Sequence, residues 1–348
     1  MLLVKREKKM INKIQKICHD FLLRRMSMET ATALKILKGT FRDRYLFMNL
    51  NERRNLLANV SMEEIDSAFA DVSEEERRLL KEFVEFQRKI PDSSGPFPEP
   101  FFFCLDLKGG LLEKRLQEKY RVEQRHSRKL GRQYQIAPPF PESLLYHNGL
   151  TMVPESVKEY IRNKDFIDAG AYNGDSSIVF LQYFPRKIYA FEPSSVNAEK
   201  YRRTMKKNRV PEERFVLIEK GVSDTPEMIR TVDSGGMDFS CLESSSTGEK
   251  IELILLDSFC GNLLDVGLIK ADLEGMGLKM LRGAVKTIRR CRPLLLLSIY
   301  HNPEELFGIY RTLREMDLHY TFQIRSLKVP YGEITLIAYP EELGEMKC

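Results

Sequence analysis

The sequence predicts an α/β protein in which a helical N-terminal region precedes a mostly parallel sheet closed by an antiparallel hairpin. Three observations predict it. From residue 154 onward, short apolar runs alternate with stretches of helical periodicity, the pattern of a parallel sheet covered on both faces. Two apolar runs near the end, 319–325 and 333–339, flank Pro330-Tyr-Gly332, a hairpin-type turn. Residues 1–90, by contrast, read as helices throughout.

Taken in order, Met10, Ile11, Ile14, Ile17, Cys18, Phe21 and Leu22 recur at helical spacing with lysines and arginines opposite them. Such a helix faces a core, a partner or a membrane surface. Ser61-Met-Glu-Glu64 and Ser73-Glu-Glu-Glu76 are capping boxes, each followed by apolar periodicity. Residues 91–100 hold four prolines and a glycine, a breaker-rich connection. Phe101-Phe-Phe-Cys-Leu105 reads as a short strand, and a charged helix follows over 111–130. Pro138, Pro139 and Pro141 then divide the chain into an accessory helical region, 1–140, and a sheet domain, 141–348. Tyr146-His147-Asn148-Gly149-Leu150 reads either as a pocket lid or as a helix cap. Beyond it the expected order is helix 154–163, strand 165–169, helix 175–184, strand 187–191, helix 194–208 and strand 214–218. Loop-like clusters at 233–236 and 244–248 come next, then a strand over 251–256 ending in Asp257. Strand 266–272, helix 276–290, strand 293–300, helix 303–316 and the hairpin complete the domain.

Composition is that of an ordinary globular chain: 348 residues, 43% apolar, 30% charged, no tryptophan. The net charge of +5 is uneven, with 28 Lys and Arg against 20 Asp and Glu in residues 1–141. This describes a basic front region ahead of a near-neutral sheet domain, though a solvated helical surface has the same composition. The six cysteines, at 18, 104, 241, 260, 291 and 348, form no Cys-x-x-Cys and imply neither a metal framework nor disulfides. A reducing compartment follows. No run approaches 18 apolar residues, and Leu2-Leu3-Val4 gives way at once to Lys5-Arg6. The expectation is a cytoplasmic protein without a transmembrane segment.

The rest of the chain is organised around Asp165-Phe-Ile-Asp-Ala-Gly-Ala-Tyr-Asn-Gly-Asp175. An apolar strand runs into a glycine turn and a helix start, which gathers unpaired backbone N–H groups in one crevice. The spacing is not the dinucleotide fingerprint, because a Gly-x-Gly-x-x-Gly begun at Gly170 would need glycine at Tyr172 and Asp175. Asp175 at the helix mouth would also repel a pyrophosphate. The turn suits a nucleoside without phosphates. Glu192 ends the next strand, 24 residues after Asp168, where its two oxygens can accept both ribose hydroxyls.

Five segments line up at the carboxyl ends of the predicted strands: Asp168 to Asp175, Phe191-Glu-Pro193, Gly221-Val-Ser-Asp224, Ile269-Lys-Ala-Asp-Leu-Glu-Gly275 and Ser298-Ile-Tyr-His301. Together, over roughly 145–340, they resemble the FkbM family of S-adenosylmethionine-dependent methyltransferases. The resemblance implies a seven-stranded, Rossmann-like class I methyltransferase sheet, S-adenosylmethionine as cofactor, and O-methylation of a sugar or another small hydroxyl compound. Carried over by position, it implies that Asp168, Gly170, Ala171, Tyr172, Asn173 and Gly174, with Asp175 at the helix mouth, hold the methionine part. Glu192 and its neighbour Pro193 would hold the ribose, Ser223 and Asp224 would lie beside the adenine, and Lys270, Asp272 and Glu274 would face the transferring methyl.

The chemistry asks for these residue types. Methyl transfer from a sulfonium needs alignment and removal of a hydroxyl proton. Asp272 and Glu274, two residues apart on a strand, would share one side of the pleat with Lys270, and their repulsion would raise one pKa. The other reading is that they cap the helix starting near Met276. His301 follows an apolar strand and precedes Asn302-Pro303, so it is either a general base or substrate contact, or a histidine packed at a helix mouth. One departure from the family pattern stands out: the second glutamate usual two positions after Glu-Gly is Gly277 here. Either a substrate contact is lost or the acceptor differs.

The expected partners are a small-molecule or glycan acceptor and, through the N-terminal helices, another copy of the chain or a protein partner. Nucleic acid is not expected, because the basic front region has no aromatic-interleaved stretch and the chain no Asn-Pro-Pro-Tyr-type motif. A reading of another class is a catalytically degenerate binding subunit of the same fold, acting through those helices.

Overall fold

The computed structural model describes residues 57–89, 114–230, 250–329 and 331–344. The helix expected over 10–22, the strand at 101–105, the two loop clusters and Pro330 lie outside the described residues. Ahead of the sheet come helices α1 (Met62–Ala68), α2 (Glu74–Lys89), α3 (Lys114–Gln133), α4 (Pro141–Leu144) and α5 (Glu155–Ile161). Then β1 (Asp165–Ala169), α6 (Asp175–Phe180), β2 (Ile188–Phe191), α7 (Ser195–Lys207) and β3 (Phe215–Ile218) alternate. Strands β4 (Gly221–Val222), β5 (Glu227–Arg230) and β6 (Lys250–Ile254) follow, then α8 (Leu256–Cys260) and β7 (Val266–Ala271). Helices α9 (Gly277–Arg282) and α10 (Val285–Cys291), β8 (Leu294–Ser298), α11 (Pro303–Glu315), β9 (Tyr320–Lys328) and β10 (Gly332–Pro340) complete the order.

The main sheet has seven strands in the order β3-β2-β1-β7-β8-β10-β9, and β10 alone runs against its neighbours. Strand order reverses between β1 and β7, which opens a crevice at their carboxyl ends. Alternate side chains feed two cores. Ile167, Ile269, Leu295 and Leu297 join one hydrophobic cluster, while Phe166, Leu268, Leu294 and Leu296 join the other. The first cluster also takes in Leu57, Ile65, Phe69, Leu80 and Phe83, so α1 and α2 pack into the core of the sheet. Among the described residues, no helix is long and apolar enough to cross a membrane.

Two expectations are corrected. The run 251–256 forms its strand but stops short, as β6 ends at Ile254 and pairs with β4 and β5 in a separate three-stranded sheet. Asp257 therefore ends no strand; it lies in α8 and accepts the amides of Lys286 and Thr287 at 2.9 and 2.7 Å. The helix expected over 276–290 breaks at Gly283 and Ala284. Gly283 lies so close to Ser223 that a Cβ would stand 2.1 Å from its carbonyl oxygen, and an uninterrupted side-chain-bearing turn has no room.

Both expected capping boxes form, and the second does more than cap. Glu76 closes its box on the Ser73 amide at 3.2 Å, while its other oxygen accepts Ile324 N–H at 3.0 Å and Arg325 Nη1 at 2.7 Å. Buried Glu123 of α3 likewise accepts Val329 N–H at 3.1 Å and the Tyr146 hydroxyl. Two carboxylates thus occupy the open edge of β9, where unpaired amides would invite another strand. Glu76→Ala is expected to cost roughly 2–4 kcal/mol, the sum of an orphaned buried amide and a lost cap. Glu64→Ala, which removes the exposed box alone, should cost about 1 kcal/mol or less. Equal shifts of the urea midpoint in the two variants would mean that the β9 contact contributes nothing.

Candidate active site

The glycine turn is built by close approach of two strand tips. Gly170 has φ +78°, and a Cβ there would stand 2.0 Å from the Asp272 carbonyl oxygen. No other residue fits. Gly170 and Ala171 both donate to Phe191 O at 3.0 Å, and Tyr172 N–H donates to Glu192 Oε2 at 2.9 Å. Asn173 Oδ1 accepts Asp175 N–H at 3.2 Å, while its Nδ2 is buried without a partner. Gly174, at φ +83°, starts α6. Burial raises the Asp175 carboxyl to about 6, although the Lys270 charge and a Ser143 hydrogen bond pull the other way.

Asp168 lies beneath this turn, fully buried, and accepts the hydroxyls of Ser176 and Ser177, both at 2.7 Å. Lys270 reaches it from β7, 3.3 Å from Oδ1, and donates to Gly170 O at 2.7 Å. Burial alone would lower the Lys270 ammonium, but the charges of Asp168 and Asp272 raise it instead. The expectation that Lys270 lies on one face of a pleat with Asp272 and Glu274 is corrected. Strand β7 ends at Ala271, and Glu274 sits at φ +51° in the loop beyond it. The Lys270 ammonium is spent bracing the glycine turn.

Glu192 is buried at the tip of β2, and Oε1 accepts Ser194 N–H at 2.9 Å across Pro193. Burial raises its carboxyl to about 7 against these amide bonds. The Asn197 side chain adds a third hydrogen bond, which leaves this carboxylate room for a further donor. Ser223 is held by Ile254 O at 3.0 Å and its hydroxyl lies 3.4 Å from Asp224 Oδ1, both residues following β4.

Asp272, Glu274 and His301 come together. His301 Nε2 lies 3.2 Å from Asp272 Oδ1 and 3.5 Å from Glu274 Oε2. The His301 side chain is 2% exposed against 29% for Asp272 and 28% for Glu274, so both carboxyl side chains reach solvent while the imidazole does not, although the Glu274 Oε2 that faces it is buried. Burial would lower the His301 imidazole, but the carboxylates of Glu305 and Asp272 outweigh it and raise it to about 9. The folded chain therefore holds this proton more tightly than the unfolded one. That stabilisation is complete below about pH 6.5 and is lost as pH rises through about 9.

Two neighbours were not anticipated. Tyr300 stacks on His301 with ring centroids 4.1 Å apart, and its hydroxyl donates to Asp272 Oδ1 at 3.3 Å. Glu305 Oε2 lies 2.7 Å from His301 Nδ1, and its Oε1 accepts Gly277 N–H at 2.6 Å. A Cβ at position 277 would stand 2.7 Å from that Oε1, so the space of the missing side chain is filled by a carboxylate from α11. The signal available was a glutamate four residues after His301, too common a spacing to single out. Among the described residues, no cluster of His, Cys, Asp and Glu is arranged to hold a metal ion.

Residues 168–324 match the methyltransferase FkbM domain. No curated protein matches the chain. Among solved structures it is similar to methyltransferase FkbM from Methylobacillus flagellatus KT, at 18% identity and TM-score 0.41, covering 65% of this chain and 60% of that one. It is also similar to SMU.1697c from Streptococcus mutans in complex with SAH, at 15% identity and TM-score 0.37, covering 56% and 95%. A third is the O-methyltransferase TomG from Streptomyces achromogenes in complex with SAM, at 11% identity and TM-score 0.38, covering 66% and 90%. The chain thus spans 60% of the length of the Methylobacillus protein. The matched segment opens on Asp168 and closes at Ile324 in β9, so it contains the glycine turn, Glu192, Asp272 and His301. Over residues 168–324 this chain is similar to a methyltransferase FkbM domain.

Proposed function

We propose that the chain transfers a methyl group from S-adenosylmethionine to a hydroxyl oxygen of a sugar or another small acceptor. The observation that carries this reading is the pair of accessible carboxylates, Asp272 and Glu274, set against the buried, protonated His301. The residues present fit the cofactor. Glu192 keeps acceptor capacity for a ribose hydroxyl, Asn173 offers a buried unpartnered amide to a carboxylate, and Asp175 at the start of α6 disfavours a pyrophosphate.

When bound, S-adenosylmethionine supplies a sulfonium methyl whose positive charge is lost on transfer. The protein's own task is to align the acceptor and remove its proton. Asp272 Oδ1 takes that proton in this reading, because the side chain is reachable and is oriented by the Tyr300 hydroxyl and His301 Nε2. His301 already carries its proton at neutral pH, so it acts as a fixed positive charge behind the carboxylates and not as the base. That charge lies 3.2 Å from Asp272 Oδ1 and 3.5 Å from Glu274 Oε2.

The test is cofactor binding. S-adenosylmethionine and S-adenosylhomocysteine should bind, and NAD and ATP should not. Glu192→Ala removes a hydrogen bond to a charged acceptor, worth about 1.5–3 kcal/mol. Affinity for S-adenosylhomocysteine should fall from about tenfold to more than a hundredfold by titration calorimetry. Unchanged affinity would remove Glu192 from the ribose site.

A further inference from the structure

We propose that Glu305 is a positioning residue of this site: its carboxylate, delivered from α11 into the space left open by Gly277, fixes His301 with Nδ1–H toward Glu305 and Nε2 toward Asp272 and Glu274. The inference rests on the methyl-transfer reading only for its effect on turnover.

Glu305 sits at the third position of α11, after the N-cap Asn302, whose Oδ1 accepts the Glu305 amide at 2.8 Å. A glutamate there ordinarily turns back to cap its own helix. This one turns inward, 1% exposed, and divides its two oxygens between His301 Nδ1 and Gly277 N–H. Burying a carboxylate is costly unless a charge and hydrogen bonds compensate it, and the protonated imidazole supplies the charge.

The packing makes room for this arrangement. Gly277 lies in α9, where its backbone has no need of glycine, yet a Cβ there would press on both Oε1, at 2.7 Å, and Cδ, at 3.4 Å, of Glu305. A second glycine, Gly308, lets α11 approach α9, since a Cβ there would stand 2.7 Å from Leu278 Cδ2. Two glycines therefore admit one buried carboxylate. With Nδ1–H committed to Glu305, the ring cannot flip without losing that bond, so Nε2 is held toward the residues that face solvent.

A purely structural role, tying α9 to α11, is separable from this one. Glu305→Gln keeps an oxygen for Gly277 N–H and removes the charge from His301. Proton NMR titration of the full-length chain reads the result directly; the five histidines are told apart by the signal missing in His301→Gln. His301 should titrate near 9 in the native chain and at least about one pH unit lower in Glu305→Gln. Gly277→Ala, which displaces the same carboxylate from the other side, should lower it too and covers the case of a Gln variant that does not fold. A His301 titration unmoved in both variants overturns the proposal. In turnover, Glu305→Gln should lower kcat about 10- to 100-fold with KM for S-adenosylmethionine unchanged; unchanged kcat in an active enzyme also overturns it. If no chain, native included, turns over, the methyl-transfer reading fails while the titration still decides the role of Glu305.

Discussion

Asp272→Asn is expected to lower turnover by roughly 10²–10⁴-fold while the protein stays folded and still binds S-adenosylhomocysteine. The substitution keeps shape and removes the proton acceptor. The turn is held by the Asp272 backbone and not by its carboxylate, through N–H to Ala169 O at 3.1 Å and through its carbonyl packed on Gly170. Glu274→Gln is the paired variant, because Glu274 is as exposed and also faces His301. The measurement is the initial rate with isotopically labelled S-adenosylmethionine, read by mass spectrometry on candidate glycans. A loss confined to Glu274→Gln moves the base to that residue. Near-native rates in both variants would sink carboxylate base catalysis. On the alkaline side, the rate should fall as pH rises through about 9, where the His301 charge is lost.

Much of this architecture is legible in the chain. Strand β1 and the Gly170 turn follow from an apolar run ending in glycines, and the hairpin from two apolar runs about a Pro-Tyr-Gly turn. What escaped were events decided by distant backbone. The 277–291 segment has unbroken helical periodicity, and only the approach of Ser223 to Gly283 divides it. The run at 250–254 is as strand-like as its neighbours, and nothing local shows that it pairs with β4 and β5. The packing of Phe69, Leu80 and Phe83 into the sheet's own core is likewise invisible to a pattern that marks them only as one apolar helix face.

The candidate site divides the same way. Asp272, Glu274 and His301 could be named from their positions after apolar strands, and the structure brings them within 3.5 Å. Period-two reasoning failed at Lys270 because it assumes that a strand continues. Past Ala271 the chain leaves the sheet, and Lys270 turns to Asp168 and Gly170 instead. Gly277 read as a deletion from a pattern; in space it is a vacancy filled by Glu305, 28 residues later. Compensation between segments that meet only in the fold leaves no trace in a single sequence.

Gly170→Ala should abolish S-adenosylhomocysteine binding and destabilise the chain by roughly 3–5 kcal/mol, whereas Gly174→Ala should cost about 1–2 kcal/mol. Both glycines hold left-handed backbone, φ +78° and +83°, so each alanine carries similar strain of about 1–2 kcal/mol. They differ in what the new methyl meets. At Gly170 it meets the carbonyl oxygen of Asp272 at 2.0 Å, and that carbonyl is fixed because the Asp272 amide is bonded to β1. At Gly174 the nearest atom, at 2.7 Å, is Cε of Met205, the end of a flexible side chain. Relief at Gly170 therefore requires parting the tips of β1 and β7, and with them the crevice where the strand order reverses. Urea midpoints and titration calorimetry on the two variants measure this. Equal destabilisation would mean that backbone strain alone matters, and a Gly170→Ala chain that binds like the native one would show that the close approach is not what shapes the site.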